Sequence, residues 1–252
     1  MSKYSKIYFI GIGGIGMSAI ARYYKFKGYP VAGYDRTPSD LTHALEKEGI
    51  DIHYKDDPDY IPKDVASTLV VYTPAIPADL QELVYVREHG YTLVKRSRML
   101  GELAEGQTCL AVAGTHGKTT TSTLVAHILT ESGKGCSAFL GGISKNYGTN
   151  LLTSHIPTIV AEADEFDRSF LQLHPAIAAI TAMDADHLDI YGTLEEYQKA
   201  FKEFASQVSR TLIVKYGLDI TADDTKARIL SYSYDISSAA YHAANAKPDE
   251  VG

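Results

Sequence analysis

Eleven consecutive residues, Ala111-Val-Ala-Gly114-Thr115-His116-Gly117-Lys118-Thr119-Thr120-Thr121, are of the types that bind a phosphate chain. The apolar run Cys109 to Ala113 before them reads as a buried strand, and Ser122 to Leu129 after them takes up helical spacing. A glycine loop between strand and helix aims backbone N–H groups at an anion. A lysine at the helix start reaches the terminal phosphates, and the hydroxyl beside it meets Mg²⁺. Gly114, Thr115, His116, Gly117, Lys118, Thr119 and Thr120 are therefore the candidate nucleotide-binding residues. The spacing departs from the common loop, because two residues rather than four separate Gly114 from Gly117. Alone, such a loop fits any nucleoside triphosphatase.

Two acidic clusters follow at strand ends. Thr158 to Ala161 reads as a buried strand delivering Glu162, Asp164, Glu165 and Asp167. Four acids so close repel one another unless a cation is present, so Glu162, the first off the strand, is a candidate metal ligand. Ala176 to Thr181 is a second such strand, ending in Asp184, Asp186, His187 and Asp189. A histidine among acids is either a metal ligand or an acid-paired base. Hard Mg²⁺ prefers oxygen, so residue chemistry favours Asp184 or Asp186 over His187.

A different loop lies near the N-terminus. Lys6 to Gly11 reads as a strand entering Gly11-Ile12-Gly13-Gly14-Ile15-Gly16-Met17, which contains G-x-G-x-x-G. Helical spacing runs on to Gly28, and Val31 to Asp35 is a second strand ending in an acid. Glycines give the tight turn, a diphosphate sits on the helix N-terminus, and Asp35 faces a ribose. The loop calls for a diphosphate but not for nicotinamide, since NAD, FAD and a UDP-sugar all present one. An NAD(P)-dependent oxidoreductase is the reading from another class; it leaves the second loop and the acids unexplained.

These residues need strands to hold them. Segments alternate strand and helix along the whole chain, which implies parallel sheets covered on both faces, with Gly13, Asp35 and Thr73 at strand C-termini. The expected fold is α/β: a Rossmann-like domain over residues 1–105, then a P-loop NTPase-like domain over 106–252, joined near Glu105-Gly106-Gln107. The glycine-rich loop around Gly141-Gly142 and Asn146 to Asn150 is expected near the phosphates. His43, His53 and His89 stand singly in polar surroundings and read as surface residues. Cys109 and Cys136 have no metal-ligand spacing and read as small buried apolar residues.

The net charge of -7 gives no basic surface for nucleic acid or an anionic membrane. The N-terminus imitates a secretory signal, but glycines at 11, 13, 14 and 16 interrupt its apolar region. With no run near the ~18 apolar residues of a membrane span, the expectation is a cytoplasmic protein. The chain stops at Pro248 to Gly252 with no closing helix, which reads as a fragment whose last strands lack a partner.

Together the two loops, Glu162-Ala-Asp-Glu165 with Ser169-Phe-Leu171, and Asp186-His187-Leu-Asp189 resemble the Mur ligases of bacterial cell-wall synthesis. The resemblance covers the whole chain, and the short phosphate loop is the form that family uses. It implies the branch that joins L-alanine to the lactyl carboxylate of UDP-N-acetylmuramate, using ATP and forming ADP through an acyl phosphate. The neighbouring branch, which re-attaches recycled tripeptide to UDP-N-acetylmuramate, is the alternative. By the same resemblance Lys118 neutralises the β/γ-phosphates and Thr119 ligates Mg²⁺. Glu162 and His187 hold a second Mg²⁺, so the resemblance favours His187 where residue chemistry did not. Gly13, Gly14, Ile15, Gly16, Met17, Asp35 and Thr73 then hold the UDP moiety. The carbamylated lysine of several members would fall near Phe201, between Lys199 and Lys202, and none is assigned. The family's third, C-terminal domain, which helps bind ATP and the amino acid, is missing from this chain.

Overall fold

The computed structural model describes residues 3–184 and 188–243, with the side chains of Leu188 and Asp189 outside the description. The chain divides into two compact units, Met1–Leu103 with Cys136–Ile156, and Ala104–Gly135 with Pro157–Gly252.

In the first unit, β1 (Lys6–Ile10), β2 (Val31–Tyr34), β3 (Asp51–His53), β4 (Thr68–Tyr72) and β5 (Thr92–Lys95) form a sheet in the order β3-β2-β1-β4-β5. All four pairings are parallel. Ile7, Tyr8, Phe9 and Ile10 are all buried, as expected of a central strand covered on both faces. Helices α1 (Ile15–Phe26), α2 (Asp40–Lys47), α3 (Gln81–Glu88) and α4 (Arg96–Ala104) alternate with the strands. The start of α2 is fixed by a capping box between Ser39 and Thr42. That of α3 is held by the Asp56 carboxylate, which accepts from the backbone N–H of Gln81 (2.9 Å) and Glu82 (3.0 Å). Chain order reverses between β1 and β4, so the loop leaving β1 opens at the switch point where α/β sheets bind ligands.

In the second unit, β6 (Thr108–Ala113) leads to α5 (Lys118–Glu131). Here the strands run β13-β12-β11-β10-β6-β9, where β9 is Thr158–Glu162, β10 Ile177–Ile180, β11 Thr211–Lys215, β12 Arg228–Ser233 and β13 Tyr241–His242. Every pairing among these six is parallel. The short α6 (Leu188–Tyr191) precedes α7 (Leu194–Ser206), which buries Tyr197, Phe201 and Phe204 on one face. Phe170 packs between Phe201 and Phe204, with both ring centroids 5.1 Å away. The α/β class with parallel sheets is as the alternation of segments implied.

Two expectations need correction. The last strands have partners: β12 lies between β11 and β13. His53 is not a surface residue; its side chain is 13% exposed. The glycine-rich loop 141–150 belongs to the first unit, where the antiparallel pair β7 (Ser137–Phe139) and β8 (Leu151–Leu152) flanks it. Its anchor is the buried amide of Asn150, which donates to the Ile15 carbonyl (2.6 Å) and the Ser18 hydroxyl (2.9 Å) on α1 and accepts from the Arg22 guanidinium. A buried amide settles where its donors and acceptor are all answered.

Gly33 on β2 is packed closely against β1, because a Cβ there would lie 2.5 Å from the Phe9 carbonyl oxygen. That contact is backbone and cannot swing aside. Gly33→Ala is expected to destabilise the protein by about 1–3 kcal/mol, read as a lower urea midpoint at unchanged slope; an unmoved midpoint would contradict this packing.

Candidate functional site

The phosphate-type loop of the second unit leaves β6, which lies between β10 and β9, so it opens over the C-terminal ends of three parallel strands. Gly114 sits at φ +129°, and a Cβ there would be 2.3 Å from the Thr181 hydroxyl and 2.8 Å from the Ala182 nitrogen. Only glycine lets the chain turn this close to β10. The turn is then tied down. Thr115 N–H donates to the Ala182 carbonyl (3.2 Å), and the Thr181 hydroxyl lies within reach of the carbonyls of Ala113 (3.1 Å) and His116 (2.5 Å). Sequence reasoning missed Thr181, whose only signal was its place at a strand end.

Helix α5 begins at Lys118 with Gly117 as N-cap, no capping side chain and no acid in its first turn. Its first N–H groups have no intrahelical acceptor, and the helix dipole makes this end electropositive. Lys118 Nζ donates to the Gly114 carbonyl and to Glu165 Oε1, both at 2.8 Å. Thr119 donates from its hydroxyl to Glu162 Oε2 at 2.9 Å. Thr115 donates to the Asp184 carbonyl (3.2 Å), while exposed His116 stands 3.8 Å from the Asp184 carboxylate. Thr120 is exposed on the first turn. The structure thus gathers Gly114 to Thr120, Glu162 and Glu165, and the last was not singled out from the sequence. His187 lies outside the described residues, as does Asp186. Among the described residues, no three His, Cys, Asp or Glu side chains gather closely enough to hold a metal ion.

Acids reach Lys118 and Thr119 because β9 ends at Glu162 and the chain then coils into a 3₁₀ turn over Phe166–Gln172. Asp167 and Arg168 both adopt left-handed backbone, at φ 52° and 54°. That conformation is uncommon for residues with a Cβ. The turn is secured by Tyr191, whose hydroxyl donates to the Glu165 carbonyl, and by Phe170 N–H on the Asp164 carbonyl.

The first unit carries a cavity of about 560 Å³ lined by Gly11, Gly14, Tyr34, Asp35, Arg36, Asp56, Thr73, Ala75, Ile76 and others. Gly14 caps α1 with no side chain in the way, so the anion end of that helix opens beside the cavity. The Asp35 carboxylate accepts from Gly13 N–H (2.7 Å) and Thr37 N–H (3.2 Å), which fixes the glycine loop against the end of β2. Of the other residues singled out from sequence, Met17 is buried in the core, Gly16 packs on Arg96, and Ile15 is partly exposed. Arg36, Asp56 and Tyr34 were missed; Tyr34 and Arg36 had a signal, as the residues on either side of Asp35.

The first unit also holds a polar cluster around buried Tyr8 and Glu82. Tyr8 donates to Glu82 Oε2 (2.6 Å), His53 Nε2 is 2.7 Å from the Tyr8 oxygen, and Nδ1 faces the Lys55 carbonyl (2.8 Å). Tyr60 stacks on His53, with ring centroids 4.1 Å apart. Burial pushes the Glu82 carboxyl up to about 7 and pushes His53 down, so both shifts favour a neutral pair.

The sequence matches the Mur ligase family, catalytic domain, over residues 6–108 and the Mur ligase middle domain over residues 112–252. The chain belongs to the Mur ligase family. It is 53% identical over 247 residues to the UDP-N-acetylmuramate–L-alanine ligase of Porphyromonas gingivalis, covering 95% of this chain and 54% of that protein. The protein of the same name from Parabacteroides distasonis is 49% identical over 252 residues, covering 97% and 54%. The chain therefore spans about half the length of the curated relatives it matches. Among solved structures, the UDP-N-acetylmuramate-alanine ligase of Thermotoga maritima superposes with a TM-score of 0.82 at 30% identity, covering 94% of this chain and 54% of that one. The UDP-N-acetylmuramate:L-alanyl-gamma-D-glutamyl-meso-diaminopimelate ligase of Neisseria meningitides gives 0.82 at 25%, covering 91% and 78%.

The Glu82 shift has a defined sign. A carboxyl raised in the folded state gives stability that is fully present below its unfolded value of 4.5 and lost as pH rises through about 7. A shift of this size amounts to on the order of 3 kcal/mol. Glu82→Gln is therefore expected to gain on the wild type in unfolding free energy between pH 5 and pH 8. Parallel pH profiles for the two proteins would contradict it.

Proposed function

We propose that this chain is the N-terminal and central part of an ADP-forming ligase that joins L-alanine to the carboxylate of UDP-N-acetylmuramate in peptidoglycan synthesis. The observation that carries the reading is the loop of the second unit. Lys118, Thr119 and Glu162 stand together over an uncapped helix N-terminus, in a chain whose relatives bear that ligase name. The oxidoreductase alternative gives this loop no task.

The reaction requires a carboxylate, a poor electrophile, to be activated. Its oxygen attacks the γ-phosphorus of ATP, giving an acyl phosphate and ADP. The alanine amine then attacks the acyl carbon and phosphate leaves. Phosphoryl transfer depends on positioning and charge neutralisation more than on covalent help from the protein. The N–H groups at the start of α5 bind the phosphate chain, and Lys118 offsets charge on its β/γ oxygens.

The donor chemistry at Thr119 and Glu162, a hydroxyl and a carboxylate oxygen 2.9 Å apart, fits Mg²⁺, which takes oxygen ligands. Thr119 would hold one ion beside the phosphates, and Glu162, with His187 by family resemblance, would hold a second. When bound, these ions supply positive charge against the phosphate oxygens.

In the first unit, the loop Gly13 to Met17 with Asp35 and Thr73 would receive the UDP moiety in the 560 Å³ cavity. We assign the protein to the cytoplasm because ATP and the UDP-sugar are found there; among the described residues no helix is long and apolar enough to cross a membrane.

Ligand-dependent melting tests this directly. UDP-N-acetylmuramate and MgATP are each expected to raise the melting temperature, by the equivalent of ~2.7 kcal/mol at a hundredfold excess over Kd, and NADH is expected to leave it unchanged. Stabilisation by NADH that UDP-N-acetylmuramate does not compete away would overturn the reading. Ligation assays on the full-length polypeptide with alanine and with tripeptide separate the two ligase branches.

A further inference from the structure

Lys118 and Glu165 form an ion pair of an unusual kind for the mouth of a nucleotide loop. The Glu165 side chain is 1% exposed and that of Lys118 14%. Exposed pairs contribute little, but a carboxylate this deep costs much to bury and is kept only with a firm partner. Its backbone is equally fixed, since the Glu165 carbonyl accepts from the Tyr191 hydroxyl and from Arg168 N–H (3.0 Å). The Glu165 backbone is thereby held in place beside Lys118.

An ammonium has three protons to donate. One goes to the Gly114 carbonyl and one to Glu165 Oε1, both at 2.8 Å, which leaves one for a phosphate oxygen. Lysine carries its charge on a flexible four-carbon stem, and an unanchored ammonium loses rotamer freedom when a ligand fixes it. Two fixed acceptors remove that loss before the ligand arrives. Glu162 sits differently: it is only half-buried and faces Thr119, on the side assigned to the cation.

We propose that Glu165 is a positioning residue for the phosphate loop, fixing the Lys118 ammonium for the nucleotide's terminal phosphates and remaining paired with it when nucleotide binds. This rests on the triphosphate reading of the loop and goes beyond it by giving the second glutamate of the Glu162-Ala-Asp-Glu165 segment a task separate from metal binding.

The test is a double-variant cycle on the full-length polypeptide, titrating MgATP calorimetrically without UDP-N-acetylmuramate. Glu165→Gln keeps the shape but not the charge and is expected to weaken MgATP binding about tenfold, as for loss of a charge-assisted hydrogen bond, leaving UDP-N-acetylmuramate affinity unchanged. On the Lys118→Ala background the same change is expected to add no further loss. If Glu165→Gln does not fold, Glu165→Asp, one methylene shorter, takes its place with the same expectation. Unchanged MgATP affinity, or an equal loss on both backgrounds, overturns the proposal while leaving the loop assignment standing. Failure of the wild type to bind MgATP would remove the triphosphate reading itself.

Discussion

The close approach of Gly114 to β10 is the constraint on which the second unit's chemistry depends. At φ +129°, with Thr181 and Ala182 where a side chain would go, the chain turns sharply enough to start α5 three residues after Thr115. That places Lys118 and Thr119 on the first turn, over the ends of β6 and β9. Glu162 and Glu165 arrive from β9 at the height of those two side chains. This loop, two residues shorter than the usual phosphate loop, is tied through the hydroxyl of Thr181, just past the end of β10, to the Ala113 and His116 carbonyls.

The first unit solves its own version of the problem. Its glycine loop is held by a side chain, as Asp35 accepts from Gly13 N–H, instead of by a neighbouring strand. Behind the loop, Asn150 claims the Ile15 carbonyl and the Ser18 hydroxyl of α1. The loop is fixed on one side by an acid at the end of β2 and on the other by an amide from 132 to 135 residues further along the chain. Glu82, Tyr8 and His53, joined by hydrogen bonds, add a polar cluster to the unit.

Much of this was legible in the sequence because it is written locally. Strand, glycine loop and helix follow one another at Lys6 to Phe26 and at Thr108 to Glu131, and the parallel sheets follow from that alternation. What was not legible depends on distant partners. His53 looks like a surface histidine among acids, and only the fold stacks it under Tyr60 and on Tyr8. Asn146 to Asn150 is a polar run, and nothing in it marks Asn150 as buried on α1. Glu165 was one acid among four, and nothing in its spacing marks it as the partner of Lys118. His187, which the family resemblance favours, lies outside the described residues.

If the Gly114 to Thr120 loop serves carboxylate activation by ATP, the path of oxygen in the full-length polypeptide's reaction will show it. With UDP-N-acetylmuramate carrying ¹⁸O in its lactyl carboxylate, plus alanine and MgATP, an acyl phosphate route transfers one ¹⁸O to the released inorganic phosphate, alongside ADP. Released phosphate free of the label, or AMP and pyrophosphate as products, would contradict the account.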